Sequence, residues 1–268
     1  MLHHAANQPA SRHAKRLPGL GLLIALMLIL VSRGPSIAGQ QKQTTCARQG
    51  RDILYRLLQA PGERAWLDDA AAQINPMCAT VAAPQPLLSN VFFQVGNQAW
   101  LAQAWTKAAA AYRAAIARDP GQAMPRRRLA EILLYRDQQP DAALAQLQQA
   151  QMLAPRESYT YLVMAHAYLA LNEPEQGLQA ANQALAVTQT AYGFMVQGQM
   201  LAALARWPEA VASLRASIAL DDSTAGAYLL LGNALQANGE PDAARAAWAE
   251  AQRRDPSISA PTPAPSRP

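Results

Sequence analysis

Charge is scarce in this 268-residue chain: only 15% of its side chains are Asp, Glu, Lys or Arg. Aromatic residues are scarcer still at 6%, with three phenylalanines. With 51% hydrophobic residues, this balance argues against wholesale disorder and permits a large core. Metal-ligating types are nearly absent. Cys46 and Cys78 stand at a spacing that matches no ligand motif, and His166 is the sole histidine after the first forty residues. One histidine with no nearby cysteine or pattern of carboxylates cannot build a usual metal site. No glycine run precedes a Lys-Ser/Thr pair, so no phosphate-cradling loop is expected, and Gly193 and Gly198 sit inside a helical pattern. The serines are few and lack a nucleophile-elbow context. The sequence therefore predicts no catalytic residue, no cofactor and no metal, and disfavours an enzyme.

A basic folded surface is missing as well. The formal charge is +5, but Arg12, Lys15, Arg16 and Arg33 lie at the start, leaving 19 basic against 18 acidic side chains. Nucleic-acid binding needs a concentrated cationic footprint on the folded part, so nucleic acid is an unfavoured partner. The one local basic run is Arg126-Arg127-Arg128. Three cations at a helix start oppose its dipole. The run reads first as a solvated face paired with Glu131 or neighbouring acids, and alternatively as a site for a polyanion such as an envelope glycan.

Only one long apolar run exists. Residues 1–38 hold Arg12, Lys15 and Arg16, then an uncharged stretch from Leu17 to Ser32, then Arg33 and Ser36-Ile37-Ala38. The apolar heart from Leu20 to Val31 is short of the ~20 residues of a full membrane span. The arrangement resembles a secretory signal with a small-residue cleavage site after Ala38. A retained signal anchor, tethering the chain through residues 17–32, is the other reading. Both export the rest of the chain to a periplasmic or extracellular face.

The cysteines fit export. They flank two expected short helices, one carrying Ile53, Leu54, Leu57 and Leu58, the other from about Glu63 to Ile74, broken by Ala60-Pro61-Gly62. In an antiparallel pair the start of the first lies beside the end of the second. That would bring Cys46 and Cys78 together in a disulfide contributing roughly 3–4 kcal/mol on the chain-entropy model. Residues 39–88 are thus expected to form a stapled helical hairpin that caps the rest of the chain.

Residues 89–257 repeat one pattern five times with a period of about 34 residues. The copies span Ser89–Gln122, Met124–Glu157, Ser158–Thr190, Ala191–Thr224 and Ala225–Ser257. Small residues recur twelve apart: Gly96 and Ala108, Ala165 and Gly177, Gly198 and Ala210, Gly232 and Ala244. The second copy has Glu131 and Ala143 instead. A further small residue follows seven positions later: Ala115, Ala150, Ala184, Ser217 and Ala251. Each copy reads as two helices, with turns such as Glu173-Pro174-Glu175 and Gly239-Glu240-Pro241 between them. Self-similarity at this period means a solenoid, whose small pairs let the two helices of a copy approach closely.

These residues resemble tetratricopeptide repeats. The fifth copy (Tyr228, Leu231-Gly232, Leu235, Gly239, Ala244, Trp248, Ala251, Asp255-Pro256) is the nearest to the family pattern. Departures concentrate in the second copy: Glu131 takes the small-residue site and Arg127 the usual bulky aromatic one, which should weaken its packing. The resemblance implies an all-α, right-handed solenoid of antiparallel helix pairs whose concave wall is lined by the first helix of each copy.

Carried over, that wall consists of Phe93, Asn97 and Trp100; Arg128, Ile132 and Tyr135; Tyr159, Leu162, His166 and Leu169; Tyr192, Met195, Gln199 and Ala202; then Leu229, Asn233 and Gln236. With Arg128 its only cation, the wall disfavours a carboxylate clamp. Its amides and adaptable apolar side chains suit a peptide or partner protein, which implies a non-catalytic interaction scaffold at the cell envelope. Residues 258–268 read as a disordered Pro-rich tail. Without a capping helix, the face beside Ala247 and Trp248 is expected to be open to self-association.

Overall fold

The computed structural model describes residues 37–58, 73–74, 78 and 85–259. The leader, most of the second hairpin helix and the tail beyond residue 259 lie outside these. Among the described residues no helix is long and apolar enough to cross a membrane; the candidate segment 17–32 is not among them. Contacts divide the chain into Met1–Lys42 and Gln43–Pro268. Of the first unit only Ile37–Lys42 are described, as the opening of helix α1 (Ile37–Leu58).

Ten more helices follow in pairs: α2 (Pro86–Leu101) and α3 (Trp105–Arg118), α4 (Ala123–Tyr135) and α5 (Pro140–Leu153), α6 (Ser158–Ala170) and α7 (Pro174–Val187), α8 (Ala191–Ala203) and α9 (Trp207–Leu220), α10 (Ala225–Ala237) and α11 (Pro241–Arg254). Each pair is one copy of the repeat. The sequence sets the helix starts. Pro140, Pro174 and Pro241 open α5, α7 and α11, and Pro208 is second in α9. A missing N–H costs nothing there, and the acid that follows (Asp141, Glu175, Glu209 or Asp242) meets the positive end of the helix dipole.

Between the helices of each copy one residue adopts a left-handed backbone: Gln103, Gln138, Asn172, Ala205 and Gly239. The next N–H then bonds back into the first helix, as Glu173 N does to Tyr168 O at 2.8 Å and Glu240 N to Leu235 O at 2.9 Å. This is the closure that satisfies a helix's last carbonyls. The turn of copy two is one residue longer, with Asp137 N bonding Ile132 O and Gln139 N bonding Leu133 O.

The small residues do admit close approach, but chiefly of a different partner from the one twelve positions on. A Cβ on Gly96 would stand 2.5 Å from the Tyr112 ring, one on Gly198 2.6 Å from Leu214, and one on Gly232 2.3 Å from the Trp248 ring. Each partner lies sixteen positions later, so a bulky side chain fills the space the glycine vacates. Gly177 instead abuts Met200 of the next copy, at 2.6 Å from an added Cβ.

At the start of the array, Cys46 and Cys78 form a disulfide with Cα atoms 5.5 Å apart. They are buried with Ile74 of the cap and with Leu88, Phe92, Val95 and Ala115 at the edge of the first helix pair. Cys46 lies midway along the 22-residue α1 rather than ahead of a short helix. At the other end, Ala247 and Trp248 are buried, and no large apolar side chain among described residues 221–259 is exposed. The expected open apolar face is therefore not found there, because Trp248 turns inward over Gly232. Successive first helices from α4 to α10 approach one another directly, more closely than successive second helices do. The first helices thus line the inner side.

Candidate binding groove

Copy two departs from the pattern at the point where the inner wall is most polar. Because its turn is one residue longer, Ala130, fully buried, fills the slot that Gly96, Ala165, Gly198 and Gly232 fill elsewhere; Glu131 stands at the wall position of Asn97, His166 and Asn233, and Arg127 lies one turn before it. Arg127 Nη1 donates to Glu131 Oε1 at 2.6 Å and Arg128 Nη1 to Oε2 at 3.0 Å. The Arg127 and Glu131 side chains are only 8% and 4% exposed. Arg127 Nη2 also donates to Met124 Sδ at 3.3 Å, and its Nε stands 3.6 Å from Glu157 Oε2 in the link to the next copy. Glu157 in turn caps α6, accepting from Thr160 N at 2.8 Å.

The expected pairing with Glu131 is found, but Arg127 and Glu131 are buried rather than solvated, and the expected weak packing is corrected because Ala130 fills the small-residue slot. The two departures compensate each other: a charge that deep in the core persists because two guanidiniums hold it. Arg126 donates to Pro120 O at 3.1 Å and to Gln146 Oε1 at 3.3 Å. The run is tied into the array by its own hydrogen bonds.

From this pair an aromatic strip runs across the inner wall. The Arg127 guanidinium lies 4.8 Å from the Tyr159 ring centre, and Tyr159 stacks on Tyr192 of the next copy at 6.1 Å. His166 meets Tyr192 edge-on at 6.2 Å, and its Nδ1 is 2.7 Å from Tyr135 Oη. On the other side Arg128 covers Trp100 at 5.2 Å, which meets Trp105 edge-on at 5.2 Å. Arg136 covers Trp105 in turn at 4.3 Å. Four consecutive first helices, α2, α4, α6 and α8, contribute to this strip. Tyr135, Tyr159 and Tyr192 remain 49%, 37% and 37% exposed, large apolar faces presented to solvent side by side.

The strip is uncharged apart from its arginines. Burial pushes the Tyr192 phenol up to about 12 and raises those of Tyr159 and Tyr135 too, with Glu131 adding to the rise in each. All three are neutral donors at physiological pH. Burial lowers the His166 pKa, and its Nε2 has no hydrogen-bond partner. A neutral imidazole is the favoured form there.

The remaining wall residues divide. Asn97 Oδ1 accepts from Tyr112 Oη at 2.9 Å, and Asn233 Oδ1 from Trp248 Nε1 at 3.0 Å. The same device serves the first and last copies: the wall amide anchors the aromatic ring that fills the glycine slot. Phe93, half-buried, lies 5.8 Å from Tyr112. Met195, Gln199 and Leu229 are half-buried and Asn233 is exposed. Leu162 and Ile132 are buried in the core and offer the groove no surface; the longer turn of copy two moves the wall register off Ile132 to Glu131, and Leu162 is covered where α6 packs between its neighbours. The structure thus brings Arg128, Tyr159, His166 and Tyr192 together, with Leu229 and Asn233 further along on α10. Sequence reasoning paired the arginine run with Glu131 but missed the burial of Arg127 and Glu131, the longer turn of copy two, and the anchoring of Asn97 and Asn233. The available signals were the four-residue spacing of the charges and the fixed interval of fifteen from Asn97 to Tyr112 and from Asn233 to Trp248.

No family model and no curated protein matches this sequence. Solved structures do. TTC0263, a thermophilic TPR protein from Thermus thermophilus, superposes with a TM-score of 0.55 at 24% identity, covering 63% of this chain and 92% of its own. The chain has the tetratricopeptide-repeat fold. MamA from Desulfovibrio magneticus RS-1 superposes on the array at a TM-score of 0.56 and 10% identity, with 63% of this chain and 96% of MamA covered. YrrB, a TPR protein with an unusual peptide-binding site, does so at 0.51 and 15%, over 63% and 87%. The likeness is one of fold; the wall residues are this chain's own.

Proposed function

We propose that the chain is a non-catalytic scaffold that holds a peptide or a segment of a partner protein against the inner wall of its tetratricopeptide array. The observation that carries this reading is the strip of Trp100, Tyr135, Tyr159 and Tyr192. Clustered, partly exposed aromatic faces are unfavourable to leave in water and are typical anchors of recognition surfaces. YrrB's peptide-binding site on the same fold supports it. The basic n-region and apolar run of the leader, with the paired cysteines, support a place outside the cytoplasm, where disulfides persist.

The test is photo-crosslinking from Met195 in the native cell. A protein adduct that disappears when Tyr159→Ala and Tyr192→Ala are combined, with little dependence on salt, supports the groove. Capture that survives that double change, but falls steeply with salt and is lost with Arg126→Ala and Arg128→Ala, would replace it with a polyanion site. Labelling of both Cys46 and Cys78 by a thiol reagent in unreduced native protein would sink the exported location.

A further inference from the structure

In every copy one polar side chain follows the small-residue slot on the inner wall: Asn97, Glu131, His166, Gln199 and Asn233. Three of them are anchored within the array. Asn97 and Asn233 accept from Tyr112 and Trp248, and Glu131 holds two arginines. Gln199 is an amide and carries no charge at any ordinary pH; so is Gln236 on α10, whose buried Oε1 has no partner. His166 alone is of a type that changes charge near neutrality.

His166 also ties together three consecutive first helices. Its Nδ1 stands 2.7 Å from Tyr135 Oη on α4. Its ring meets Tyr135 and Tyr192 of α8 edge-on, at 6.1 and 6.2 Å. Tyr192 in turn stacks on Tyr159, so the imidazole braces the strip from within. The other nitrogen, Nε2, is buried with no hydrogen-bond partner. A neutral ring leaves that one nitrogen unsatisfied in either tautomer. A second proton makes both nitrogens donors, and Tyr135 Oη can accept from only one of them.

Among the described residues nothing balances the charge such a proton would bring. The helices packed on α6 are α4, α5, α7 and α8. From α4 come Tyr135, the like-charged Arg126, Arg127 and Arg128, and Glu131, whose two oxygens are already held. From α8 comes Tyr192 alone. Helices α5 and α7 hold one titratable group each, Asp141 and Glu175, both exposed on the first turn. On α6 itself are Tyr159, Tyr161 and Tyr168, and the links beside it add Arg156, Glu157 and Glu173. Glu157 caps Thr160 and faces Arg127. The one hydrogen bond of the imidazole is to Tyr135. His166 is half-buried at the wall, so an imidazolium gains most by turning outward into water. That turn breaks the bond to Tyr135 and removes the edge that Tyr192 rests on.

We propose that His166 is a proton-operated latch on the groove: neutral, it holds Tyr135 and Tyr192 in the strip, and protonated, it swings out and releases the bound segment. This rests on the groove being a peptide site. Burial already lowers the proton affinity of the ring, so release belongs below about pH 6.5, the ordinary value for histidine.

The experiment follows the histidine and tyrosine side-chain signals of the full chain by NMR, from about pH 7.5 down to about pH 5. His166→Gln, which stays neutral and can still bond Tyr135, identifies the His166 signal among the four histidines. The Tyr135 and Tyr192 ring signals should move together with the His166 titration and stay still in His166→Gln. An unshifted Trp248 indole signal marks the intact fold throughout. In permeabilised cells buffered at the same two extremes, capture from Met195 should drop several-fold at the acid end, and the drop should vanish in His166→Gln. Tyrosine signals that ignore the His166 titration, or that move equally in His166→Gln, would overturn the proposal. Capture unchanged at the acid end sinks the latch and leaves the scaffold reading. Moving tyrosines with no capture at any pH sink the scaffold reading and keep the proton-driven opening.

Discussion

Copies two and five place opposite kinds of group beside the same small-residue slot. In copy five the slot at Gly232 is empty, Trp248 fills it, and Asn233 fixes the indole. In copy two the slot holds Ala130, and at the position of Asn233 stands Glu131, whose carboxylate binds two arginines. The first solution is an apolar interlock that ends within its own copy. The second reaches out: Arg127 also approaches Glu157, which caps the first helix of copy three, and covers Tyr159 on that helix. A deviation from the repeat pattern thus creates a link between copies and a platform for the groove, where adherence creates only a tight pair.

The largest test of this contrast is Glu131→Gln. It leaves Arg127 buried without its counter-charge, and about 3–5 kcal/mol of stability should be lost in denaturant unfolding. Replacing the pair together, with Arg127→Leu and Glu131→Ala, should recover most of that loss while weakening ligand capture, because the guanidinium over Tyr159 is gone. A double change as unstable as Glu131→Gln would show that the charges contribute more than mutual compensation.

Gly232→Ala is the matching break in copy five. Its methyl would meet the rigid Trp248 ring, and overpacking of this kind costs about 1–3 kcal/mol; Gly226→Ala, whose Cβ meets nothing, is the control. Smaller effects belong to the turns. Gly239→Ala should destabilise by about 1 kcal/mol, and Gln138→Gly or Ala205→Gly should raise the melting temperature slightly, since only glycine adopts the left-handed backbone without strain. Finally, His166 binds protons less readily when folded than when unfolded. Stability should therefore fall as pH drops below about 6.5, the unperturbed value, toward the lowered folded pKa. His166→Gln should flatten that slope, and a slope unchanged by it would place the titrating group elsewhere.

The period and the helix pairs were legible because small residues and turn prolines mark them directly, while the register of copy two was read one residue out, since nothing in its composition marks the longer turn. Of the left-handed turns, Gly239 and Asn172 carry a compositional signal, while Gln103, Gln138 and Ala205 carry none. Glu131 was read as a fault in the small-residue slot because of that register slip, and its pairing with the arginine run was expected on the surface rather than buried. Leu162 sits at the wall register yet is buried, because burial depends on how neighbouring copies close over α6, which no local pattern encodes. The tyrosine strip was legible as a set of wall residues, but its contiguity across copies came only with the packing.

The disulfide at the head of the array has a consequence for the order in which the protein comes apart. In a solenoid each copy is held mainly by its neighbours, so melting proceeds inward from whichever terminus is released more easily. Cys46 and Cys78, buried on the first copy, make that terminus hard to release. Unzipping should begin at α11 and halt at the Arg127 link between copies two and three, giving amide exchange that slows from the last copy toward the first.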